Sequence, residues 1–164
     1  MTKSTPSKPR NPARPAARST TSWPTPEPGE TLSYSYLWRY EYEKGIEEGR
    51  KDRPVAVIVA LTGNDDKARL FVAPITTQTP DDRSSAIEVP ARLKGPAGLD
   101  AERCWVVPNE LNIFTWPGPD IRPVERVGER TPIIGAFPSA FYERIRAAVE
   151  QQIEKRAFAE VDRD

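Results

Sequence analysis

Between residues 31 and 61 the chain changes its hydrophobic rhythm. Leu32, Tyr34 and Tyr36 alternate with Thr31, Ser33 and Ser35, the period-two signature of a half-buried strand. Pro54-Val55-Ala56-Val57-Ile58-Val59-Ala60-Leu61 is instead continuously apolar and β-branched, which predicts a central strand buried on both faces. Thr62-Gly63-Asn64-Asp65-Asp66 supplies hairpin-turn chemistry. Residues 68–75 return as the next strand and run into Pro74-Ile75-Thr76-Thr77-Gln78. Shorter apolar runs predict strands at 85–90 and 103–108, and a final strand or helix approach at 133–137.

Past Pro138-Ser139 the period lengthens. Phe141, Ile145, Val149 and Ile153 recur at helical spacing, with Ala148 and Phe158 close by and charged residues elsewhere, so a C-terminal amphipathic helix begins at about 138. The last residues, Asp162-Arg163-Asp164, are expected to fray. Residues 39–53 read as one charged loop interrupted by Gly45 and Gly49. It is long for a connection in a small domain, and loops of that length are disordered or functional. Residues 124–132 read as irregular. Short strands, frequent turns and one terminal helix make this a mainly β chain, a small barrel or rolled sheet, with one domain over residues 29–164.

Residues 1–28 stand apart. Seven of the eighteen prolines lie there among Ser, Thr and Ala, a composition that cannot bury enough to fold, so the segment reads as a disordered tail. Lys3, Lys8, Arg10, Arg14 and Arg18 precede the first acid, Glu27. That pattern suits an RNA-attracting arm or an ordinary solvated tail.

Composition narrows the chemistry. The chain has no histidine and a formal net charge of zero. Histidine-based acid–base catalysis, serine and cysteine triads that use histidine, and most zinc sites are thereby excluded. The neutral total argues against coating nucleic acid by bulk charge but leaves room for a local basic groove. Cys104, the single cysteine, sits in the apolar run Cys104-Trp105-Val106-Val107 and reads as a buried structural thiol suited to a reducing compartment. No apolar run approaches membrane-spanning length and no secretory signal opens the chain, so a cytoplasmic location is expected.

Three places can carry function. Arg53-Pro54 fixes an arginine where the charged loop meets the central strand. Thr76 ends the following strand, and a hairpin about Gly63-Asn64 brings the two ends together. A guanidinium beside a hydroxyl suits phosphate, whereas strand threonines and surface arginines are also common for structural reasons. Residues 105–116 offer Phe114 and Trp116 for base stacking or for packing, Trp105 for packing, and Asn109, Glu110 and Asn112 for reading base edges.

Lys44-Gly45-Ile46-Glu47-Glu48-Gly49-Arg50-Lys51-Asp52-Arg53-Pro54-Val55-Ala56-Val57-Ile58-Val59 resembles the segment leading through the second strand of MazF/PemK-type toxins. Val72-Ala73-Pro74-Ile75-Thr76-Thr77-Gln78 resembles that family's strand ending in Pro-x-Thr-Thr/Ser-Gln, in matching order and spacing. The resemblance extends loosely from Gly29 into the C-terminal helix. It implies an SH3-like barrel that forms a homodimer, with a cognate antitoxin protein as partner. It also implies metal-independent, cofactor-free cleavage of single-stranded RNA to 2′,3′-cyclic phosphate and 5′-hydroxyl ends. By position, Arg53 and Thr76 match the catalytic pair and Glu47 a loop acid. Arg50, Lys51, Thr77 and Gln78 fall in the flanking RNA-binding or supporting positions. The family's Asp-Gln-Ile-Arg-Thr-like segment stands here as Asn109-Glu110-Leu111-Asn112-Ile113-Phe114-Thr115-Trp116, without the arginine. That departure makes a non-catalytic RNA- or protein-binding module on the same barrel the alternative.

Overall fold

A computed structural model describes residues 23–47, 49, 51–81, 85–100, 102–155 and 158–164. In chain order the elements are β1 (Glu30–Tyr34), α1 (Arg39–Glu43), β2 (Arg53–Thr62), β3 (Ala68–Thr76), β4 (Ile87–Glu88), α2 (Ala91–Lys94), β5 (Trp105–Val106) and β6 (Glu110–Thr115). They continue with β7 (Val124–Arg126), β8 (Glu129–Thr131), β9 (Ile133–Ala136), α3 (Ser139–Glu154) and β10 (Ala159–Asp162). The protein is mainly β: a curled, half-barrel sheet in the order β10-β6-β3-β2-β1-β9, with α3 near its C-terminal end. The first half of β3 pairs with β6 and the second half with β5, which in turn pairs with β4. Among the described residues no helix is long and apolar enough to cross a membrane.

The continuous apolar run of β2 has the expected cause. Val55 and Val57 enter one core with Leu32, Tyr34, Leu70, Val72 and Phe114. Ala56 and Ile58 enter another with Ala73, Ile75, Phe141 and Ile145 of α3. A strand with cores on both faces has no polar face to alternate with. The β2–β3 register shifts between Val57 and Val59, and the Ile58 carbonyl there accepts a hydrogen bond from the Tyr142 hydroxyl at 2.7 Å. A side chain of α3 thus satisfies a backbone group at the bulge.

Several expectations change. The strand expected from Thr31 ends at Tyr34 and is not half-exposed: Thr31, Ser33 and the following Ser35 are buried as well, because β1 lies between β2 and β9 and Thr31 donates its hydroxyl to the Ala97 carbonyl at 2.7 Å. The charged loop opens with α1, whose Glu41 is buried and accepts the Trp38 N–H at 3.1 Å. Residues 124–131 form the β7–β8 hairpin. In α3 the buried face is Phe141, Ile145, Val149 and Gln152, whereas Ile153 is 52% exposed. At about 100° per residue, position 153 has rotated roughly 120° from Phe141 and position 152 only about 20°.

The C-terminus does not fray. β10 pairs in parallel with β6, and Arg163 is buried against Asp120 at 2.8 Å. Of the proline-rich segment, residues 1–22 lie outside the described residues. Trp23 packs on the Tyr34 core and donates its indole N–H to the Arg130 carbonyl at 3.0 Å.

Candidate active site

The β2–β3 register places Val55 opposite Pro74 and Ala56 opposite Ala73. Carried two residues outward, the same register sets Arg53 opposite Thr76. On its other side Arg53 faces Tyr34 of β1, and Thr76 faces Trp105 of β5. Both functional candidates therefore occupy interior strands of the sheet, where their backbones are fixed from two sides. Pro54 adds a restricted φ directly after Arg53.

Two adjoining hollows meet at this pair, of about 230 and 420 Å³. They share Trp38, Tyr40, Arg53, Thr76 and Gln78. The smaller adds Glu41 and Lys51, and the larger adds Asn109, Glu110 and Asp81 among others. The Arg53 guanidinium lies over the Trp38 ring, 5.2 Å from its centroid, a cation–π contact that orients the fork. Its Nε is buried and makes no hydrogen bond among the described residues. Burial lowers the Arg53 pKa, and the nearby Glu41 carboxylate opposes that shift. The guanidinium remains a cation at any ordinary pH. Thr76 is buried, and its hydroxyl oxygen accepts the Gln78 N–H at 3.1 Å. That bond uses an acceptor lone pair and leaves the hydroxyl proton to be donated.

The larger hollow carries a differently held acid. Glu110 Oε1 accepts from the Tyr36 hydroxyl at 3.0 Å and from the Arg39 N–H at 3.1 Å. Burial raises its pKa, and those two hydrogen bonds pull the other way. Tyr36 is pushed well above its ordinary value by burial first and by Glu110 second. Tyr40 is 52% exposed beside the hollow, with the Lys44 ammonium 5.7 Å from its ring centroid.

Of the residues singled out in the sequence, Arg53, Thr76, Lys51 and Gln78 come together in the smaller hollow. Thr77 lines a neighbouring one of about 220 Å³ with Lys51, Arg53, Pro54 and Cys104. Glu47 lines none of these hollows: its side chain is exposed, and its carbonyl accepts from Arg163 Nη2 at 3.4 Å. Arg50 lies outside the described residues.

Asn109 and Glu110 reach the cleft, but Asn112 does not. Asn112 is fully buried and exchanges two hydrogen bonds with the Leu37 backbone, at 2.8 and 2.9 Å. Phe114 and Trp116 are buried too, Phe114 stacked on Tyr34 at 4.8 Å. They pack the core and are not a stacking surface. The aromatic residues at the cleft are Trp38 and Tyr40: Trp38 reads from the sequence as the end of the first strand, and Tyr40 as part of the charged loop at 39–53. Glu41 was hidden the same way. Three residues after Trp38, it has the spacing of an acid that caps the first turn of a helix.

Compared with known proteins, the chain matches no family model and no curated sequence.

Proposed function

We propose that the cleft at Arg53 and Thr76 is the active site of a MazF/PemK-like endoribonuclease. It cuts single-stranded RNA with sequence preference and without a metal. The enzyme is the cytoplasmic toxin of a toxin–antitoxin pair, and the curled sheet belongs to an SH3-like barrel that acts as a homodimer. The observation that supports this reading is that one hollow is lined both by a cation whose buried Nε–H has no partner among the described residues and by a hydroxyl with a proton to donate, on neighbouring strands whose register, carried two residues past Val55 and Pro74, sets them opposite each other.

The reaction joins the 2′-oxygen to phosphorus as the bond from phosphorus to the 5′-oxygen breaks. The 2′-hydroxyl gives its proton to water and the departing 5′-oxygen takes one from water. Negative charge builds on the non-bridging oxygens, and donors fixed in advance stabilise it without reorganising. Arg53, a cation throughout, neutralises that charge. Thr76 donates to one non-bridging oxygen. Lys51, in the same hollow, adds attraction for the RNA backbone. Trp38 and Tyr40 supply flat surfaces against which unpaired bases stack.

The carboxylate of Glu110 in the larger hollow counts against catalysis there, because an acid repels phosphate, and favours one second reading, a non-catalytic binding module for protein or for RNA held away from that acid. The two readings separate on products. The purified protein, in EDTA, is incubated with single-stranded RNA and the fragment ends are analysed. The enzyme yields 2′,3′-cyclic phosphate and 5′-hydroxyl ends. Intact RNA, bound or unbound, rejects the catalytic reading.

A further inference from the structure

The cleft is polarised along its length. Arg53 and Thr76 line both hollows. The smaller adds Lys51 and the acid Glu41, whereas the larger adds two acids, Glu110 and Asp81, with Asn109 and no further cation. Trp38 and Tyr40 border both. A ligand that fits has an anion at one end, a flat ring in the middle and an N–H donor at the far edge. A nucleotide has that order of groups.

Glu110 lines the larger hollow with one of its two carboxylate oxygens already engaged. Its Oε1 is already taken by the Tyr36 hydroxyl and the Arg39 N–H. Those bonds restrain the carboxylate, and Oε2 carries none of the hydrogen bonds found among the described residues. A carboxylate held in this way satisfies an N–H at its free oxygen and repels an acceptor placed there. Adenine, cytosine and guanine each present an exocyclic amino group at the pairing edge, whereas uracil presents two carbonyl oxygens about a single ring N–H.

We infer that Glu110 is the specificity-determining residue of the cleft, accepting the exocyclic amino group of an adenine, cytosine or guanine base at Oε2 and disfavouring uracil, whose carbonyl oxygens it repels. The inference rests on the reading of the cleft as an RNA site. Discrimination of this kind, one charge-assisted hydrogen bond gained against one acceptor pair opposed, corresponds to about tenfold or more in affinity.

The test uses short 2′-deoxy oligonucleotides of adenine, cytosine or uracil, which lack the attacking hydroxyl and so stay intact. Their binding to the full chain is followed by fluorescence anisotropy at low salt. The wild-type protein is expected to bind the adenine and cytosine oligomers about tenfold more tightly than the uracil oligomer. Glu110→Gln keeps an oxygen for Tyr36 and Arg39 and turns an amide toward the cleft that donates to a uracil carbonyl. In that variant the uracil oligomer gains and the ratio falls below about threefold. Equal binding of the three oligomers by the wild type, or a ratio unchanged in Glu110→Gln, overturns the inference. If RNA is still cut under either result, the catalytic reading stands and only the role of Glu110 falls. If no oligomer binds and no RNA is cut, both fall together.

Discussion

Arg163 ties together four separate parts of the chain, and removing it is the sharpest test of how the cleft is held. Its side chain is 4% exposed and its partner Asp120 13%. Nη2 meets Asp120 at 2.8 Å, and Nη1 donates to the Ser35 carbonyl at 2.8 Å and to Asn112 Oδ1 at 3.0 Å. Asn112 holds the Leu37 backbone, one residue before the Trp38 ring that carries Arg53. Arg163→Ala strands the Asp120 carboxylate in a nearly water-free setting, a loss of about 3–5 kcal/mol for a buried pair. Set against a typical total of about 5–15 kcal/mol, this is a large fraction of the stability. With a urea m-value of about 2 kcal/mol/M, the unfolding midpoint drops by about 2 M. Asp120→Asn removes the stranded charge, so the double variant costs less than the sum of the two single ones by about 2 kcal/mol. Arg163→Lys keeps the charge but not the planar fork, and lies between. Urea unfolding followed by circular dichroism reads all four proteins. A midpoint shift under about 0.5 M for Arg163→Ala, or strict additivity with Asp120→Asn, refutes the account.

Two further outcomes follow from particular residues. The Glu110 carboxyl titrates above its unfolded value because it is buried, so the folded state binds its proton more tightly than the unfolded state does. Stability from this group is fully present below the unfolded pKa of about 4.3 and is lost as pH rises through the folded one. Thermal unfolding of Glu110→Gln should accordingly show a gain over wild type that grows from pH 4 to neutrality, and a gain independent of pH contradicts the assignment. Val127 sits fully exposed at the β7–β8 turn with φ 49°, followed by Gly128 at 77°. A β-branched residue is strained there, and Val127→Asn should stabilise by about 1 kcal/mol in urea unfolding, with a loss of stability counting against it.

The central hairpin was legible because its signals are local and agree. The run at 54–61, the turn at 62–66 and the return strand each point to the same pairing, and that pairing alone brings Arg53 to Thr76. What escaped the sequence depends on contacts distant along the chain. β10 is four residues, too short to stand out, and exists because β6 offers an unpaired edge. Arg163 reads as a fraying charge until Asp120, more than forty positions earlier, is placed beside it. Phe114 and Trp116 look equally suited to surface or core, and only the position of β6 behind Tyr34 decides. The aromatic wall of the cleft was missed for a different reason. Trp38 continues the strand pattern that begins at Thr31, although β1 ends at Tyr34; for Tyr40, charged residues at 39–53 dominate the local composition, and a helix of five residues, Arg39–Glu43, leaves little periodicity to detect.

The central claim is that Arg53 and Thr76 act together on one phosphate. Single-turnover cleavage of a short single-stranded RNA in EDTA, with wild type, Arg53→Ala and Thr76→Ala compared at equal enzyme excess, tests it most directly. The account predicts a fall of about a hundredfold or more for each variant, with folding intact by circular dichroism, and no cleavage of an RNA carrying 2′-deoxy sugar at the scissile position. Cleavage by either variant at the wild-type rate, or of the 2′-deoxy substrate, would contradict it.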